Sequence, residues 1–417
     1  MHGRTILAAA VVAALTLAAS TAAAAVKTPS GQTAGSITVW LQVDAQTGWP
    51  DAVAAANRQF EQAHPGVDVK VQYQNWGDHL QKFDATLAGG SGPDVIEMGN
   101  TEMTKYMAAG AFADLTSRKS GFANSASWLK GLAAAGTFGG KLYGVPYYAG
   151  SRVVTYRKDL FTKAGIRKAP NSLAQFRFYA QRIGKKNTSK AFSPVYIAGT
   201  DWYFAMSFVY DYGGQIATTS KGKWIGRLDS ARSMAGLLAY KNFFNATSRA
   251  SKTTDETRPN PYDVYARGQA ASMIGPSWFS CCVGDKYKGS TAQFVMPSHQ
   301  KGKPMPGFLG GSNLAVPVTS SDKALGAEWI KAFTDTASQR TFQAKGNIPN
   351  ATNLLGSSVN ERAALRSWFV PTAKHWVDVE NGNILRNMLA QILTGRLTIK
   401  QAASSASDNI ASVLNRP

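Results

Sequence analysis

The stretch GSGPDVIEMGNTEM, residues 90–103, decides the fold. Gly90, Gly92 and Pro93 read as a turn. Asp94 to Met98 reads as a short, fully buried strand, because an apolar run bounded by turn signals fits a parallel sheet covered on both faces. Immediately afterwards the chain offers a carboxamide, a hydroxyl and a carboxylate in succession: Asn100, Thr101 and Glu102. In open α/β sheets small ligands bind beyond the carboxyl ends of the strands. These three residues are therefore candidates for contacting a polar ligand.

Working outward, SITVWLQVDA (residues 36–45) is another apolar strand ending in polar residues. WPDAVAAANRQFEQAHPG (49–66) places Val53, Ala56, Phe60 and Ala63 on one helical face and stops at His64-Pro65-Gly66. VDVKVQYQ (67–74) alternates as a strand, and DHLQKFDATLAGG (78–90) spaces Leu80, Phe83 and Leu87 as a helix. Strand, helix, strand, helix, strand predicts a mostly parallel sheet wrapped by helices. The pattern restarts from Gly140, passes the aromatic segment TDWYFAMSFVYDYGG (200–214), returns to strand and turn chemistry near 292–317, and is nearly all helical from about Asn353.

The chain has 417 residues, 44% of them hydrophobic, with 10 Trp, 15 Tyr and 19 Phe, enough for a large core split into about two lobes. Residues 1–25, with Arg4, an apolar run from Ile6 to Ala19 and small residues at Ala22–Ala25, read as an export signal; 26–35 reads as a linker. The expected location is extracellular or on the cell envelope, without a lipid-anchor cysteine near the signal. The formal charge is +20, from 45 Lys+Arg against 25 Asp+Glu. The basic residues are scattered and accompany no nucleic-acid motif, so the charge is read as a solvated basic surface suited to an anionic envelope. Cys281 and Cys282 are adjacent, which rules out C-x₂-C metal spacing and leaves either two buried thiols or a vicinal disulfide.

Catalytic signatures are absent: no G-x-S-x-G, no H-E-x-x-H and no phosphate-binding Walker loop. His64, His79, His299 and His375 lie far apart and are read as surface or turn residues, so no metal or other cofactor is expected. Aromatic residues crowd the predicted strand and loop ends instead: Trp40, Trp49, Trp76, Tyr147, Tyr148, Trp202, Tyr203 and Trp278. A flat ring matches the C–H face of a pyranose, while amide, carboxylate and guanidinium groups fix its hydroxyls.

Taken in order, ITVWLQVD, FEQAHPGVDVKVQYQNW, GGSGPDVIEMGN, YMAAGAFADLT, GKLYGVPYYAGSRVVTYRKDLFTKAG, ARGQAASMIGPSW, GGSNLAVP, AEWIKAFTDTASQ and ILTGRLTIKQA resemble the extracellular solute-binding proteins of family 1. These are the sugar receptors of ABC importers, similar to maltose-binding protein. The likeness spans essentially the whole mature chain. It implies an α/β fold of two lobes joined by hinge crossovers, with an interlobe ligand cleft and hinge closure. The expected lobes are 36–147 with 297–342, and 148–296 with 343–417. It implies a monomeric, non-enzymatic receptor whose partners are an oligosaccharide and membrane permease subunits.

Carried over residue by residue, the resemblance points to Asp44 after the first strand; Asn100, Thr101 and Glu102 on the second binding loop; and Arg152 past the first crossover. Trp202 and Tyr203 lie near a stacking aromatic, Trp278 in IGPSW matches a stacking Trp, and Gly311, Ser312 and Asn313 form a loop bordering the ligand. Trp76 and Tyr147 join the candidate set, as does Asn381. Asn381 and Asn383 stand near an aromatic contact of maltose-binding protein, and Ala45 and Gly150 where that protein has charged contacts, which argues against maltose. EMGNTEMTKYMAAGAFADLT looks most like actinobacterial receptors for chito-oligosaccharides, which puts N,N'-diacetylchitobiose or a related disaccharide first among the ligands, with cello- or malto-oligosaccharides and other glycosides as the alternatives. An exported glycoside-active enzyme and a basic wall-associated polymer-binding protein are the competing readings.

Overall fold

The computed structural model describes residues 35–256 and 259–417; the export signal and nearly all of the linker lie outside them. The strands of the continuous sheet are numbered in chain order: β1 (Gly35–Gln42), β2 (Val67–Gln74), β3 (Val95–Gly99), β4 (Gly144–Arg157), β5 (Ser272–Pro276), β6 (Thr291–Phe294), β7 (Gly307–Ala315) and β8 (Ser367–Trp368). Its main order is β6-β4-β7-β3-β1-β2, with β5 beside β4 and β8 beside β7.

β1 pairs in parallel with β2 and β3, as the strand–helix alternation requires. Between them run the helices Pro50–Ala63 and His79–Ala88. The first starts with Pro at its N-terminal turn, where the missing N–H costs nothing, and buries Ala52, Val53, Ala56 and Phe60. Ala63, expected on that face, is the last residue of the helix and is exposed. Asp94 ties the layers together: its carboxylate accepts from the Thr38 N–H at 2.9 Å, the Ser320 hydroxyl at 2.7 Å and the Ser321 N–H at 3.1 Å.

β4 and β7 carry the chain between lobes. Residues 144–151 of β4 pair with β7, whereas Arg152–Tyr156 pair with β5 and Val154–Arg157 with β6. One core packs Ile37, Val39, Leu41 and Phe60 with Leu314, Trp329, Phe333, Phe342 and Leu354. The other packs Val154, Phe176, Trp202 and Phe208 with Met305, Phe308, Trp376, Leu389 and Ile410. Met305 and Phe308 belong to the second core, and Ala351 and Leu354 to the first. The return crossings therefore fall near 309 and 355 rather than at 297 and 343.

A small cluster of Leu129, Leu132, Ala149, Leu309, Ile348 and Ala364 packs at these crossings. At Gly311 the strands approach so closely that a Cβ would lie 2.1 Å from the Tyr148 carbonyl oxygen, which only glycine avoids. Among the described residues no helix is long and apolar enough to cross a membrane, and none of their cysteines is free.

Candidate functional site

The carboxyl ends of β1 and β3 lead into the first wall of the site. Asp44 lies in the helix Val43–Gly48 directly after β1, and its carboxylate accepts from the Trp76 indole N–H at 2.5 Å. Glu102 accepts from the Gly99 N–H at 2.9 Å and meets His79 Nε2 at 3.0 Å. His79 is 1% exposed, so it is no surface or turn residue as its sequence context predicted. Burial alone would lower its pKa, but the hydrogen bond and charge of Glu102 outweigh that and raise it. The Trp76 ring packs edge-on to the imidazole, 5.2 Å between centroids.

Behind this wall Glu97 is fully buried. Its Oε2 accepts from the Gln42 N–H at 2.9 Å, while Oε1 has no partner. Burial pushes its pKa up to about 7, against the Gln42 N–H hydrogen bond that favours the charged form.

The second wall comes from the other lobe. Arg152, five residues before the end of β4, pairs with Asp201 at 3.3 Å and lies 4.6 Å above the Tyr203 ring. Asp201 caps the helix Trp202–Asp211 by accepting from the Phe204 N–H. Arg386 grips Glu256 in a bidentate pair at 2.6 and 2.8 Å, with Asp255 at 3.8 Å. Glu380 accepts from the Trp376 indole at 2.5 Å, one helical turn back. The walls meet here, where the helix Trp376–Asn381 packs against the helix Met103–Ala108 that follows Glu102, and the Glu380 carboxyl feels the charge of Glu102. Burial first, then Glu102, lifts its pKa to about 7.

The structure thus brings together Asp44, Trp76, Thr101, Glu102, Arg152 and Tyr203. Trp278 is 49% exposed and Trp76 40%. Trp278 lies over the crossover so closely that a Cβ on Gly150 would be 2.5 Å from its ring. Tyr147 is placed elsewhere: it is 0% exposed, accepts from the Trp49 indole at 2.5 Å and packs on Phe333 and Phe342. Trp202 is in the second core, stacked beneath Tyr203 at 3.9 Å. Asn100 is buried and bonds its backbone N–H to the Gly311 carbonyl and Nδ2 to the Leu309 carbonyl, so it fastens the loop to a crossover. Ser312 and Asn313 are buried in β7, at a break in its register with β4. Asn381 is exposed at its helix end, next to Glu380.

Sequence reasoning missed His79, Glu256, Glu380 and Arg386. Only the Trp376–Glu380 spacing of four on a helix carried a local signal.

A two-lobed α/β protein whose lobes contribute polar and aromatic side chains to one junction has the architecture of a solute-binding protein. The match to the family model of bacterial extracellular solute-binding proteins covers residues 41–340, and the chain belongs to that family. It is 30% identical over 378 residues to the diacetylchitobiose binding protein DasA of Streptomyces coelicolor, covering 88% of this chain and 87% of that one. Its fold is that of the sugar-binding protein MalE from Xanthomonas citri, with a TM-score of 0.77 at 19% identity over 91% of this chain and 97% of the other. It is equally that of the GacH receptor of Streptomyces glaucescens, at 0.76 and 22% over 92% and 99%.

Proposed function

We propose that this chain is an exported receptor that binds one oligosaccharide between its lobes and delivers it, unconverted, to the permease subunits of an ABC importer. The observation that carries the reading is the contrast among its aromatic residues. Of the eight at predicted strand and loop ends, five are buried, whereas Trp76 and Trp278 keep rings exposed beside the polar walls. Exposed rings next to hydroxyl-fixing carboxylates and a guanidinium are the chemistry that recognises a pyranose. A disaccharide of the chitobiose class is the leading ligand, supported by the 30% identity with a diacetylchitobiose binding protein. Asp44, Thr101, Glu102 and Arg152 would fix its hydroxyls, and closure about β4 and β7 would enclose it.

The test is intrinsic tryptophan fluorescence and thermal shift of the mature protein against chitobiose, cellobiose, maltose, xylobiose and monosaccharides. The reading expects a saturable response to one class, with the sugar recovered intact. Reproducible shortening of the sugar by pure protein would replace the receptor with an enzyme. Binding that collapses in 1 M salt, where screening acts within about 3 Å, would instead favour attachment by charge.

A further inference from the structure

Lys and Arg outnumber Asp and Glu 45 to 25 in this chain, yet the junction between the lobes is dominated by acids. Asp44 is bonded to an indole N–H, Glu102 to a backbone N–H and the His79 ring, and Glu380 to an indole N–H. Among the described residues, none of the three is within ion-pairing distance of a lysine or arginine. The two arginines present are already engaged: Arg152 by Asp201, and Arg386 by Glu256 with Asp255 nearby. A second, independent sign is Glu97, 1% exposed with Oε1 unpartnered, whose charge would interact with both Asp44 and His79 at the foot of the first wall.

We propose that the site selects a cationic oligosaccharide, one carrying a protonated amine as a glucosamine unit does, with Glu102 and Glu380 receiving the ammonium from opposite lobes. This rests on the receptor reading above and sharpens its ligand class. A neutral sugar can donate hydroxyl hydrogens to these carboxylates but leaves their like charges uncancelled in a site that closure dries. An ammonium supplies both the hydrogen bonds and the charge. The groups facing Glu380 are the Trp376 indole, which donates, the neutral Tyr203, Glu102, which repels, and Arg386, which attracts from within its bidentate pair with Glu256.

Calorimetric titration of the mature chain at pH 7 tests this with three β-1,4-linked disaccharides that differ at C2: the glucosamine dimer, N,N'-diacetylchitobiose and cellobiose. The amine form is expected to bind at least tenfold more tightly than either neutral form, and the preference is expected to disappear at pH 9, where the amine is uncharged. In Glu380→Gln the ratio should fall by at least tenfold, with Glu102→Gln as a second variant and thermal melts checking that both fold. Equal or tighter binding of any neutral sugar overturns the charge preference and leaves the receptor reading in place. A folded protein silent to every sugar overturns both.

Discussion

The two walls of the site are built by different means. The wall on the first lobe is local: Asp44, Trp76, His79 and Glu102 fall within 59 residues, on the segments that follow β1, β2 and β3. It is held by indole, imidazole and backbone donors. The wall on the second lobe gathers Arg152, Asp201, Glu256, Glu380 and Arg386 from across 235 residues, and is held chiefly by guanidinium–carboxylate pairs. Among the described residues, these donors leave the first wall's carboxylates without a lysine or arginine partner. Ion pairs spend the second wall's arginines on fixing its own shape. One wall is equipped to meet a ligand, and the other depends on internal charge pairing to stand.

That contrast breaks most severely at Arg386. Arg386→Ala strands the half-buried Glu256 and should destabilise the protein by about 3 kcal/mol, since removing one partner of a buried pair leaves an uncompensated charge. Urea denaturation checks it, and a loss under 1 kcal/mol would mean that the second wall does not rely on its ion pairs. Trp278→Ala should act on binding instead. A lost stacking face weakens sugar affinity by roughly 2 kcal/mol, about thirtyfold in Kd, with little change in melting temperature; unaltered affinity would return Trp278 to a structural role.

Glu97 sharpens the comparison from below the first wall. Its folded pKa of about 7 stands above the ordinary value of 4.5, so the native state holds the extra proton. Its contribution is complete below pH 4.5 and is lost as the pH rises towards 7. The stability of Glu97→Gln relative to the wild type should therefore rise by roughly 2–3 kcal/mol between pH 5 and pH 8. Stability that tracks the wild type at both values would refute a buried, proton-bearing Glu97.

The smallest effect belongs to His79. With a raised pKa, its stabilising charge is fully present below pH 6.5 and is lost as the pH rises through the folded value. The deficit of His79→Asn should be under about 1 kcal/mol and larger at pH 6 than at pH 8. A deficit independent of pH would show that the neutral ring does all the work.

The same division explains what the sequence disclosed. β1, β2 and β3 and their helices were legible because apolar periodicity and Gly/Pro punctuation are local signals. The first wall came with them, since Asp44, Thr101 and Glu102 directly follow strands. Chemical type alone could not separate Trp76 and Trp278, which stay exposed, from Tyr147 and Trp202, which fill cores, because burial is decided by tertiary packing. Nor could spacing join Glu256 to Arg386, 130 residues apart. Ser312 and Asn313, expected on a loop bordering the ligand, lie instead in β7 between β3 and β4, where both are fully buried.

The central claim is that one oligosaccharide is held between these walls and left intact. Native mass spectrometry of the mature protein, incubated with the sugar that gives the strongest response, tests it most directly. The account predicts a single adduct of one intact sugar per chain, diminished in Trp278→Ala. A protein that carries no adduct, or that releases shortened sugar, would contradict it.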